Sequence, residues 1–177
     1  MTGRQDADGW SEPAATALLV LADGTVLRDQ INDAVKTAMK SQDKLRLSTL
    51  RMVNSAIKNA DIEARGAGKG PLADGDILGL LQKLIKQRQE SVELYDKGGR
   101  PELADQERTE IEIIKGFLPQ QLSEAEAKEA IAGVIRETGA AGMKDMGKVI
   151  AALKERYAGR MDFGKASALV KGMLTTS

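Results

Sequence analysis

Four cations stand seven residues apart, at Lys44, Arg51, Lys58 and Arg65. Seven residues is close to two turns of an α-helix, so on a helix these side chains form one ridge. Guanidinium and ammonium groups in a row can meet successive phosphates of an RNA backbone. The same spacing also describes an ordinary solvated helix face. A second group of cations lies toward the C-terminal end: Lys144, Lys148, Lys154, Arg156, Arg160, Lys165 and Lys171. From it, Lys144, Lys148, Arg160, Lys165 and Lys171 join the ridge as candidate nucleic-acid ligands, with plain solubility as the competing account.

Lys148 also closes a stretch that begins like a phosphate-binding loop, Gly142-Met143-Lys144-Asp145-Met146-Gly147-Lys148-Val149. The next position is Val149, which has no hydroxyl for magnesium. Asp145 inside the loop would repel phosphate, and no parallel-sheet pattern precedes it. The stretch reads instead as the approach to a helix, where Lys148 can still meet a phosphate beside the first free amides.

Two charges interrupt apolar stripes. Arg88 falls between Leu84 and Val92, and Glu107 between Leu103 and Ile111. Both are nearly equidistant from the turn at residues 97–99. In an antiparallel helical hairpin they face each other, which predicts a structural ion pair, at least half buried, setting the register of the hairpin. A catalytic role for Glu107 lacks any neighbour that could complete a catalytic set.

The composition excludes many chemistries. The sequence has 177 residues with no Cys and no His, so thiolate or His-based zinc sites, Cys nucleophiles, Ser-His-Asp triads and disulfides are impossible in it. No metal site, no cofactor and no catalytic residue is expected. Cysteine-free sequence is compatible with a reducing cytoplasm, the compartment expected here. No apolar run approaches the roughly twenty residues a membrane span needs. The stretch Ala17–Ala22 imitates the apolar part of an export signal, but Asp6, Asp8 and Glu12 precede it against Arg4 alone.

The 26 basic and 26 acidic groups cancel overall, yet not locally. Residues 27–70 carry nine basic and five acidic groups, residues 71–138 nine and fourteen, and residues 139–177 seven and three. Two basic ends flank an acidic middle.

The elements that must position these groups are all helical. With 3% aromatic residues the core has to be aliphatic. Leu27, Ile31, Val35 and Ala38-Met39 recur with a helical period. Asp43 caps a second helix, whose inward residues are Leu47, Leu50, Val53, Ile57, Ala60 and Ala64. Gly66–Pro71 is a loop, and a third helix starts near Asp74 with Ile77, Leu81, Leu84, Ile85 and Val92 inward. Gly98-Gly99 reverses the chain and Pro101 opens a fourth helix, which runs through Ile111, Ile114, Phe117 and Leu118 until Pro119 stops it. Arg100 occupies the cap position of this helix, where a short polar residue is expected.

Ser123 and Glu126 form a capping box for the next helix, which stops at Gly139. Asp145 caps another, ended by Gly159, and Asp162 caps the last. The expected organisation is all-α: a helical N-terminal domain over 26–119 containing a long hairpin, then a three-helix C-terminal domain over 120–177. Residues 1–25, rich in Gly, Ala, Asp and Thr, read as a disordered or loosely attached extension, with Val26 as a possible natural start.

Four stretches carry a family resemblance: Leu-x-x-Leu-Arg-x-x-x-x-Ala-Ile at 47–57, Gly-Arg-Pro-Glu-Leu-Ala-x-x-Glu-x-x-Glu at 99–110, Phe-Leu-Pro-Gln-Gln-Leu at 117–122 and Asp-Met-Gly-Lys-Val-Ile at 145–150. Together, over about Leu27 to Leu174, they resemble the GatB/YqeY family. The resemblance implies kinship with the tail of the B subunit of the tRNA-dependent amidotransferase, which helps hold tRNA while other domains do the chemistry. This chain is similar to the tail module standing alone.

The function expected from these observations is a non-catalytic accessory protein that contacts tRNA or another structured RNA. Two alternatives stand beside it. One is a protein-interaction adaptor that uses the C-terminal bundle to receive a partner helix. The other is a subunit that supports glutamine-dependent amidotransferase activity in a complex, with an aminoacyl-tRNA or an amidotransferase component as partner. No membrane partner is expected.

Overall fold

A computed structural model describes residues 26–175. The expectations for residues 1–25 lie outside the described residues. The helices are α1 (Val26–Lys40), α2 (Lys44–Gly66), α3 (Asp74–Lys97), α4 (Pro101–Lys115), α5 (Glu124–Thr138), α6 (Met146–Arg156) and α7 (Phe163–Thr175), with a single 3-10 turn at Met143–Asp145. No strand occurs among the described residues, and the all-α expectation holds.

The side chains that repeat with helical period are the ones that leave water. Leu27, Ile31, Val53, Ile57, Ile77, Leu81 and Ile114 are at most 2% exposed and form one apolar cluster. Ile131, Val134, Val149, Leu153 and Val170 form a second. Burying each such aliphatic side chain contributes roughly 1.5–3 kcal/mol, which is what selects these faces. Leu78, Ala104 and Met161 are buried as well, although the periodic reading passes over them. Met39, placed inward by that reading, is 53% exposed, because Ala38 beside it takes the core position.

Helix ends follow local chemistry with three corrections. Asp43 accepts a hydrogen bond from Arg46 N at 3.0 Å and caps α2. Ser123 and Glu126 exchange bonds of 3.2 and 2.8 Å as a capping box. Asp162 receives Gly164 N at 2.8 Å at the start of α7. By contrast α4 stops at Lys115, before Pro119. Leu118 precedes a proline and is steered away from helical geometry, so Phe117 and Leu118 close in tighter turns onto Ile114 O and Lys115 O. Asp145 stands first before α6 but sends its carboxylate back to Ala141 N at 3.0 Å. Its own backbone is already helical, which turns the side chain away from the following amides. Gly159 does not end α6, which stops at Arg156; the glycine lies in the next turn, at φ +71°.

At the hairpin, Gly99 takes φ +68°, and Arg100 N donates to Tyr95 O at 2.8 Å while Gly99 N donates to Asp96 O at 3.3 Å. These two bonds satisfy carbonyls that the end of α3 would leave open. Arg100 O then accepts from Ala104 N at 3.2 Å. Arg100 therefore ends one helix and begins the next through its backbone, and its exposed side chain caps nothing.

Candidate nucleic-acid interface

The ridge is built by α2. Its buried side carries Leu50, Val53 and Ile57, and the remaining turns place Lys44, Arg51, Lys58 and Arg65 in water. At 1.5 Å rise per residue, neighbouring cations are about 10.5 Å apart and the ridge is about 31 Å long. None of the four makes an ion pair among the described residues.

Of the two acids on α2, Glu63 makes no ion pair among the described residues and Asp61 points elsewhere. Asp61 holds Arg28 through bonds of 2.8 and 3.1 Å and accepts Leu72 N at 2.9 Å. The Arg28 guanidinium, then the Leu72 amide, hold its carboxyl below the usual carboxylate range. This network ties α1, α2 and the loop before α3 together, and Arg28 also reaches Leu72 O at 3.3 Å. Nothing in residue spacing signals a contact between positions 28 and 61. Asp74 is likewise more than a helix start: it is 4% exposed, and both carboxylate oxygens lie 3.4 Å from Leu27 N. A carboxylate there complements the positive end of α1.

The C-terminal candidates divide. Lys144, Lys165 and Lys171 are exposed, and their ammonium groups make no ion pair among the described residues. Lys148 instead donates to Thr138 O at 3.0 Å and closes the C-terminal end of α5. Arg160 donates through Nε to Gln120 O at 3.2 Å. Both cations thus have structural duties, and a phosphate would have to share them. Arg156 is paired with Glu137. In the loop that imitates a phosphate-binding motif, the Asp145 carboxylate already occupies Ala141 N, and this amide holds the carboxyl below its usual range.

The hairpin charge cluster departs from the expected pairing. Arg88 Nε is 2.9 Å from Glu110 Oε2 and 3.9 Å from Glu107 Oε2. Arg88 further donates to Leu84 O at 3.2 Å and touches Met52 Sδ at 3.5 Å. Gln106 donates to the other oxygen of Glu110 at 3.2 Å. Glu107, partly buried, thus lies at the edge of ion-pair distance from Arg88, and the hydrogen-bonded partner is Glu110. Glu107 and Glu110 are three residues apart and share one side of α4, so the register of the hairpin decides which comes closer. Burial, and then the nearby Glu110 charge, push the Glu107 carboxyl up, with Arg88 opposing them.

Among the described residues no group of three or more His, Cys, Asp or Glu is arranged to hold a metal, and no buried side-chain N or O atom is without a hydrogen-bond partner. No helix among them is long and apolar enough to cross a membrane. What the geometry offers an external ligand is a row of cations on α2 and three further cations on the second bundle.

Known proteins share most of this chain. The family model described as Yqey-like protein matches residues 28–174. Altered inheritance of mitochondria protein 41, mitochondrial, from Lachancea thermotolerans is 40% identical over 105 residues, covering 58% of this chain and 54% of that protein. The protein of the same name from Vanderwaltozyma polyspora is 29% identical over 119 residues, covering 63% and 62%. That from Pyrenophora tritici-repentis is 28% identical over 137 residues, covering 74% and 73%. The alignments with the first two relatives reach 54% and 62% of those proteins' own length. With the match running from Arg28, one residue after the first core residue Leu27, to Leu174, the last residue of the second core, the chain belongs to the YqeY-like family.

Proposed function

We propose that this protein holds tRNA or another structured RNA by its phosphates and contributes no chemistry of its own. The observation that carries the reading is the ridge Lys44, Arg51, Lys58 and Arg65, exposed along one helix and without ion pairs among the described residues. Four unpaired like charges in a row repel each other, and a polyanion relieves that repulsion. No aromatic residue lies on α2, so stacking on single-stranded bases has no platform there. Lys144, Lys165 and Lys171 are three further exposed cations, on the second bundle.

The test is fluorescence anisotropy of labelled tRNA across a salt series. Four phosphate contacts predict that log K falls against log salt with a slope of roughly −3 to −4. Absence of binding at low salt would end the proposal.

A second reading, support of amidotransferase chemistry inside a complex, rests on the resemblance of the motifs at 47–57, 99–110, 117–122 and 145–150 to the amidotransferase tail. Amidation that appears only when this chain is mixed with the other subunits would support it. For the compartment, the cysteine-free sequence favours a reducing cytoplasm. The curated relatives bear the word mitochondrial in their names, and fractionation of the native host cell distinguishes the two.

A further inference from the structure

We infer that the turn after α6 is a clamp that makes the two helical bundles one rigid body, with Gly159 as its positioning residue. The turn spans Ala158 to Met161. Ala158 leaves its own bundle and packs against the first apolar cluster. Gly159 is buried, at φ +71°, directly over Leu78 of α3. A Cβ on Gly159 would stand 3.0 Å from both Leu78 Cβ and Leu78 Cδ1, and 3.2 Å from Cδ2. Only glycine accommodates both the left-handed backbone and this approach.

Polar ties surround the apolar contact. Gln82, one turn after Leu78, donates to Met161 O at 3.0 Å. The connector between the bundles is held from the other side. Leu122 N donates to Arg160 O at 2.8 Å, and Arg160 Nε donates to Gln120 O at 3.2 Å. The Gln121 amide donates to both Pro119 O and Gly159 O. The turn therefore grips α3 and the connector together. Among the described residues no helix of the second bundle packs directly on a helix of the first, and the turn and connector join the two. A flexible tether would not bury a glycine, satisfy its carbonyl and commit an arginine to the connector backbone.

The consequence is a fixed relation between the α2 ridge and the cations of the second bundle. A rigid arrangement of the two bundles presents its cations to a ligand in one fixed relation, whereas tethered bundles would engage independently.

Backbone ¹⁵N relaxation on the intact chain tests the clamp without any ligand. One rotational correlation time shared by both bundles is the expected result. Two distinct values in the unaltered protein would overturn the inference. Gly159→Ala should split the single value into two and replace one cooperative thermal transition by two, while helical circular dichroism at low temperature is retained. A Gly159→Ala protein that keeps one correlation time and one transition would also overturn it. Should Gly159→Ala fail to fold, the double change Gln82→Ala with Gln121→Ala removes polar ties without adding an atom. Faster proteolysis at the connector, Gln120-Gln121, supports the clamp there, and an unchanged cleavage rate counts against it.

Discussion

The guanidinium of Arg88 hydrogen-bonds Glu110 at 2.9 Å, and Glu107, on the same side of α4, stays at 3.9 Å. One cation thus serves two partly buried carboxylates, and the two are not equivalent. Glu110 has the hydrogen bond and a second donor in Gln106. Glu107 has proximity only, and its desolvation is opposed by a charge that is already engaged.

The two carboxylates should therefore respond oppositely to loss of charge. Glu107→Gln removes a desolvated charge beside another of the same sign, and is expected to stabilise by up to about 1 kcal/mol at neutral pH. Glu110→Gln weakens a charge-assisted hydrogen bond and is expected to destabilise by about 1.5–3 kcal/mol. Urea denaturation midpoints of the two variants against the parent, at equal slope, decide it.

Acidity gives the same pair a second readout. The Glu107 carboxyl is raised in the folded chain, so the native state holds its proton more tightly than the unfolded state does. That contribution is fully present below the unfolded pKa and is lost as pH rises through the folded one. Asp61 has the reverse sign: its depressed pKa contributes stability above the unfolded value that is lost as pH falls through the folded value. The parent minus Glu107→Gln stability difference should thus fall from acid to neutral pH and become negative there. The parent minus Asp61→Asn difference should be largest at neutral pH and collapse in acid. Stability curves of the three proteins from pH 3 to pH 7, a range of about four units around the ordinary carboxylate values, provide the comparison.

Charge removal on the ridge should separate binding from folding. Arg51→Ala with Lys58→Ala is expected to reduce the salt slope of RNA binding by about 2, because two phosphate contacts disappear. Their exposed side chains make no ion pair among the described residues, so stability should move by less than about 0.5 kcal/mol. Lys148→Ala should behave differently. It removes the ammonium from Thr138 O and should lower the stability of the second bundle by about 0.5 kcal/mol, whatever it does to binding. Anisotropy and thermal melts on the same preparations separate the two effects.

Gln42 offers a stabilising substitution. It is the one non-glycine residue at positive φ, +56°, among the described residues, and it forms the turn from α1 to α2. Asp43 N and Gln42 N close onto Ala38 O and Met39 O, a geometry that glycine adopts at three other helix ends in this chain, at Gly68, Gly99 and Gly139. Gln42→Gly should relieve the strain of the left-handed backbone and raise stability by about 0.5–1 kcal/mol, a rise in melting temperature visible by circular dichroism.

Much of this molecule was determined by local chemistry and was therefore readable along the chain. Helix periodicity selected Leu50, Val53 and Ile57 for the core and left Lys44, Arg51, Lys58 and Arg65 outside it, since both follow from 3.6 residues per turn. Asp43, Ser123 and Asp162 bond to amides within three residues, so their capping needs no tertiary context. The tertiary structure decided everything that depends on how two helices register. Which carboxylate Arg88 bonds, that Asp61 is held by Arg28, and that Asp74 faces the start of α1 all turn on contacts between residues 22 to 47 positions apart. Those contacts are selected by the packing of whole side-chain layers, which no local spacing encodes. Gly159 is the clearest case. In sequence it is a plausible helix stop; in the fold it is the point where the second bundle rests on Leu78, because only the assembled structure brings α3 to within a methyl group of that turn.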